Sequence, residues 1–163
     1  MATIKPKILI DDVYERELTL PVLNEGMKQL IEFSRSLKMN PRHAWAKAFK
    51  CVYKGMNVVT FNMHENVLII TVYIADKDDL ERIVLAEPDG HEILMEIMNR
   101  NLNHCDCCNP SHKCGSSVKL HTTGGNYDFF CSRFNYCCKN PTPEQFKIIE
   151  RLIEIRKKYI AAT

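Results

Sequence analysis

The chain reads as an α+β domain: an antiparallel sheet, made of a meander plus C-terminal strands, packed against helices and carrying a cysteine-rich zinc-binding insertion. Three observations predict this. The stretch CVYKGMNVVTFNMHENVLIITVYIA is rich in β-branched and aromatic residues and is broken twice by turn chemistry, at Lys54-Gly55 and at His64-Glu65-Asn66. Apolar residues on either side of it recur at helical spacing. Further on, HCDCCNPSHKC packs four cysteines and two histidines into eleven positions.

Residues 1–20 alternate short apolar and charged groups between Pro6 and Pro21, which suggests an extended arm. A helix follows, with Asn24 as its N-cap and Met27, Leu30, Ile31, Ser34 and Leu37 along its inner stripe. The stretch MNPRHAWAKAFK leaves two readings open. Asn40-Pro41 suits a helix start, whereas Trp45, Phe49, Cys51 and Tyr53 suit entry into a strand. The three strands of the meander come next, the last of them, VLIITVYI, apolar enough to sit inside the sheet with helices on at least one face. Two helices follow, one with Leu80, Ile83 and Val84 inward, the other with Ile93, Leu94, Ile97 and Met98, separated by Pro88-Asp89-Gly90. After the cysteines, SSVKLHTT, a turn at GGN and YDFFCSRFNYCC read as strands. Pro141-Thr142-Pro143 opens a last helix with Phe146, Ile149, Leu152, Ile153 and Ile160 inward, and Lys157 and Lys158 are placed to complement its C-terminal dipole.

At 163 residues, one domain spanning 1–163 is expected, with residues 104–138 as a cysteine-rich segment inside it. The opening MATIKPKILIDD lacks the pattern of a secretory signal, and the longest apolar stretch, Val67 to Ala75, is too short to cross a bilayer. A cytoplasmic location is therefore expected, with no membrane partner. Reducing conditions there disfavour structural disulfides and turn eight cysteines towards metal binding or thiol chemistry. The net charge is only +2. Residues 76–103 hold eight acidic against three basic side chains, a balance of −5 that leaves +7 on the rest, and the acidic block reads as a solvated helix face.

Seven of the eight cysteines lie between 105 and 138. Cys105 and Cys108 have the spacing at which a tight turn aims two sulfurs at one ion; Cys114 lies close enough to return to it, and Cys131 can bring a fourth thiolate from the strand region. The predicted metal ligands are these four, around one Zn2+. Cys107 is an alternative to Cys108, His104, His112 or His121 to one of the cysteines, and Cys137 or Cys138 to Cys131. Being adjacent on a strand, Cys137 and Cys138 face opposite sides, so one of them is a core residue. Cys51 reads as core. A four-thiolate site leaves no open position for water, so the zinc is expected to be structural. No HExxH or HxE…PCxxC pattern is present, no catalytic residue is assigned, and the spacing of common ferredoxins is missing.

Other patterns have plain readings. Gly124-Gly125 is turn chemistry, and His43, His64 and His91 are isolated. Trp45, Tyr53, Phe61 and Tyr73 interleave with Lys47, Lys50 and Lys54, as in a nucleic-acid-facing sheet, but a core face alternating with a solvated one accounts for them. Nucleic acid is not expected as a partner; an unidentified small molecule or protein is.

In AWAKAFKCVYKGMNVVTF followed by VLIITVYI, the chain resembles the small bacterial α+β domains of the YdhG-like group, through Trp45, Lys47, Tyr53, Lys54 and Gly55. The resemblance spans residues 24–100 and the last helix. It implies a bacterial source and an α+β fold in a family whose activity is mostly unknown. Some members are described as iron-handling proteins; the cysteine segment departs from their pattern, and no iron role passes to any residue here. The expected function is a cytosolic zinc-binding protein acting as a binding or regulatory module, the alternatives being a thiol- or metal-dependent enzyme and a metal or redox sensor.

Overall fold

The computed structural model describes residues 7–74, 77–102, 118–122, 125–129 and 135–163. Two helices, α1 (Ile10–Glu17) and α2 (Pro21–Ser36), precede four strands, β1 (Arg42–Trp45), β2 (Ala48–Tyr53), β3 (Met56–His64) and β4 (Val67–Val72). Helices α3 (Lys77–Ala86) and α4 (Gly90–Leu102) follow, then β5 (Val118–Thr122), β6 (Gly125–Phe129), β7 (Tyr136–Lys139) and α5 (Pro143–Ala162).

The main sheet is antiparallel with strand order β1-β2-β3-β4-β7, so β4 has a neighbour on each side, as its apolar run requires. Of the expected C-terminal strands only β7 joins it; β5 and β6 pair with each other in a separate ribbon. The register pairs Thr122 with Gly125, so the connection falls at 123–124 and Gly125 and Asn126 belong to the strand.

Strand alternation divides the main sheet cleanly. Phe49, Cys51, Val59, Phe61, Met63, Leu68, Ile70, Val72, Tyr136 and Cys138 fall on one face and are buried, and they share a single core cluster with apolar side chains from all five helices. No residue in register on the opposite face belongs to that cluster. The domain is thus two layers, with its core on one side of the sheet.

The β2–β3 and β3–β4 turns are two-residue connections with both residues at positive φ, the conformation that suits strand twist. At Lys54-Gly55 (φ 46° and 79°) glycine makes this easy. At Glu65-Asn66 (φ 46° and 63°) no glycine is present, and contacts with the helices hold the turn.

The amino-terminal reading needs two corrections. Residues 10–17 are helical, with Ile10, Val13 and Tyr14 buried against the core. Their short 3.6-residue periodicity is hidden among charges, and the helix is fixed by packing and by the Arg35–Asp11 ion pair (2.6 Å) to α2. Helix α2 starts at Pro21, whose fixed φ suits a first position, so Asn24 is no cap; its side-chain amide donates to Leu18 O (2.8 Å). Asn66, distant in sequence, ties down the residues just before the helix, its Oδ1 accepting from the N–H groups of Thr19 and Leu20.

The open question at residues 40–53 resolves as a bulged hairpin of β1 and β2, with Phe49 and Cys51 in the core and Trp45 exposed. Helix α5 opens with a capping box between Thr142 and Gln145. Its inner stripe is the expected one, but Lys157 and Lys158 serve other elements: Lys157 donates to Leu37 O at the end of α2 (2.7 Å), and Lys158 to Glu87.

Gly26 sits inside α2, where glycine costs about 1 kcal/mol relative to alanine. Its reason is the crossing with α5, since a Cβ there would overlap the Phe146 ring. Gly26→Ala is expected to destabilise the domain by about 1–3 kcal/mol in urea unfolding, and Gly26→Ala with Phe146→Leu to recover part of that loss.

Candidate metal centre and its surroundings

Cys105, Cys108, Cys114 and Cys131 lie outside the described residues, as do Cys107, His104 and His112; of His121 only the backbone, in β5, is described. Around them the frame is clear. Helix α4 leads into this stretch, β7 leads out of it, and the Tyr136 hydroxyl donates to Glu96 Oε1 at 3.1 Å, tying the two together. Between them, β5 lies against α3 and β6 against α4.

The two adjacent cysteines of β7 separate as alternation requires. Cys138 pairs with Ile70 on the core face, is fully buried and points its thiol at Gln145 Oε1 (3.5 Å). Cys137 pairs with Thr71 on the opposite face and is disulfide-bonded, its partner lying outside the described residues. Cys51 is a core residue whose thiol burial pushes up to about 12, an unreactive group near neutral pH. Among the described residues, no group of three or more His, Cys, Asp or Glu side chains could hold a metal ion.

Two charged clusters were not legible beforehand. The first surrounds Glu17 at the end of α1. Its side chain is only 7% exposed, yet Lys47 lies 2.9 Å and Arg16 3.2 Å from Oε1, while the Glu65 N–H donates to Oε2. Lys47 also reaches His64 Nδ1 at 3.1 Å, so His64 is not isolated. The backbone joins in, with Asn66 N–H donating to Glu17 O at 2.7 Å. Lys47, foremost among these partners, holds the Glu17 carboxyl down at about 2, so it stays ionised and is a weak base near neutral pH. Its role is to fasten the strained Glu65-Asn66 turn and the β1–β2 turn to the α1–α2 joint. Three elements meet on one carboxylate, none of them neighbours in sequence.

The second cluster fastens α5 to the α3–α4 connection. Arg151 grips Asp89 with two parallel bonds (2.8 and 2.9 Å) and Glu87 with a third (2.6 Å), and Lys158 completes Glu87 at 2.6 Å. Lys158 first, then Arg151, lowers the Glu87 carboxyl, while Asp89 above all raises Arg151. A groove of about 450 Å³ runs beside this cluster, past Tyr53 and Lys157. Its cations are already committed: Arg151 and Lys158 to carboxylates, and Lys157 to Leu37 O and to the face of Tyr53.

No family model matches the chain, and no curated protein or solved structure matches it. No helix among the described residues is long and apolar enough to cross a membrane.

Because folding lowers the Glu17 pKa, its contribution is fully present above the ordinary value of about 4.5 and is lost as pH falls towards about 2. The stability gap between wild type and Glu17→Gln is therefore expected to be constant from pH 7 to 5 and to narrow from about 4.5 downwards, as measured by urea unfolding at each pH. A gap that widened on acidification would contradict the assignment.

Proposed function

We propose that the protein is a cytosolic zinc-binding module whose single zinc is structural, held by Cys105, Cys108, Cys114 and Cys131 in a segment that a preformed α+β frame presents to a partner. The observation that carries this reading is the CxxC pair followed by two further thiols in the connection from α4 to β7, whose flanking elements are joined by the Tyr136–Glu96 bond. Closing that connection with an ion supplies order where the segment NHCDCCNPSHKCGSS has few apolar side chains to bury. Kinship with the YdhG-like domains is part of this proposal as a likeness of fold, without an activity.

The Cys137 disulfide favours a second reading, in which the segment senses redox state as well as holding metal. A thiol in a disulfide is no zinc ligand. If the partner of Cys137 is one of the four proposed ligands, zinc uptake needs a two-electron reduction by a thiol reductant; if it is Cys107, zinc and disulfide coexist.

Elemental analysis of reduced protein prepared without added metal is expected to find about one zinc per chain, falling markedly in Cys108→Ser, since the serine hydroxyl remains protonated and is a poor ligand. Absence of zinc, or two zincs, contradicts the tetrad. Peptide mapping of unreduced, zinc-loaded protein then decides the second reading: a Cys137–Cys107 bridge alongside full zinc removes the competition, whereas a bridge to one of the four ligands with zinc lost on oxidation supports it.

A further inference from the structure

The five strands of the main sheet contain Arg42, Lys50 and Lys139 and not one aspartate or glutamate. All three cations fall on the face turned away from the helices. One cross-strand row of that face runs Arg42, Lys50, Thr60, Thr71 and Cys137; the next, two residues along, runs Trp45, Ala48, Asn62, Ile69 and Lys139. Tyr73 belongs to the same face: it follows core-facing Val72, and its hydroxyl lies 3.0 Å from Thr60 Oγ1. The face is buried at Ala48, Thr60 and Cys137 and open at its β1 edge and at Asn62, where Trp45 is 56% exposed and Arg42 and Asn62 are exposed.

Two features mark this surface off from an ordinary solvated face. Arg42 and Lys50 are directly opposite one another, a like-charge pairing that costs stability in a sheet. Neither they nor Lys139 has an ion-pair partner among the described residues, whereas Glu17, Glu87, Asp89 and Asp11 all have cations against them. A like-charge pair without a counter-ion, beside an exposed indole, is an arrangement that an anionic, π-faced ligand relieves.

We infer that the β1–β2 edge of the helix-free face binds single-stranded nucleic acid, with phosphates against Arg42 and Lys50 and a base stacked on Trp45. An open antiparallel sheet with aromatic residues among cations suits splayed bases, and stacking supplies affinity without demanding sequence. The earlier expectation against nucleic acid grouped this face with Tyr53 and Phe61, which the structure places with the core cluster. The inference does not depend on the zinc.

The test uses dye-labelled dT and U oligonucleotides of about 12 nucleotides at low salt, followed by anisotropy and by the fluorescence of Trp45, the only tryptophan. Expected are quenching of Trp45 and a log–log salt slope of about −1.4 for two single-strand phosphate contacts. Arg42→Ala with Lys50→Ala should weaken binding about tenfold or more while holding or raising the melting temperature, because it removes the like-charge pair. Lys147→Glu, on the exposed side of α5, should leave binding close to wild type. No binding at low salt overturns the inference. So does equal loss in Lys147→Glu, or preferential binding of heparin or an acidic peptide without Trp45 quenching.

Discussion

Everything in this domain follows from a sheet that turns its large apolar side chains to one face. Phe49, Phe61, Leu68, Ile70 and Tyr136 are fully inaccessible on that face, and burying each such side chain is worth about 1.5–3 kcal/mol. Five helices have to share that single surface, which is why α2 and α5 approach closely enough to require Gly26 under Phe146. The opposite face mixes polar and charged residues with a few apolar ones, Ala48, Thr60 and Cys137 being buried there, and it is on this face that Arg42 and Lys50 stand side by side.

Helices crowded on one layer need their ends fastened, because short helices such as α1 do not hold themselves. The two charged clusters do this at separate joints. Glu17 collects Lys47, Arg16 and the Glu65 amide where α1, α2 and two hairpin turns converge, and Arg151 with Lys158 binds the α3–α4 connection to α5. In both, a carboxylate removed from water keeps its charge only because cations and N–H groups surround it. Such clusters are structural clamps whose partners come from several elements, not chemical centres with an activated group.

What the sequence revealed was local. Periodicity of two placed the meander, periodicity of 3.6 placed the inner stripe of α5, and alternation separated Cys137 from Cys138 before either was seen in place. What it hid was long-range. The tie on the residues leading into α2 comes from Asn66, forty-six residues away from Leu20, and β7 reaches β4 across the whole cysteine segment, so neither leaves a mark in a short window. Glu17 looked like one more surface charge because its partners Lys47 and Glu65 belong to two different turns. Of the metal centre, spacing alone is legible: the four proposed ligands lie outside the described residues, while the α4 and β7 flanks and the core position of Cys138 belong to the frame around them.

The account rests on the claim that the sheet and its helices form a complete core without help from the cysteine segment. Native-state hydrogen exchange on reduced protein, with zinc bound and after its removal by a chelator, tests this most directly. The account predicts unchanged protection of the amides in β2, β3, β4 and α5, with loss confined to residues 103–135. Loss of protection spreading through Ala48–Val72 and Pro143–Ala162 on metal removal would contradict it, and would make the metal a part of the core.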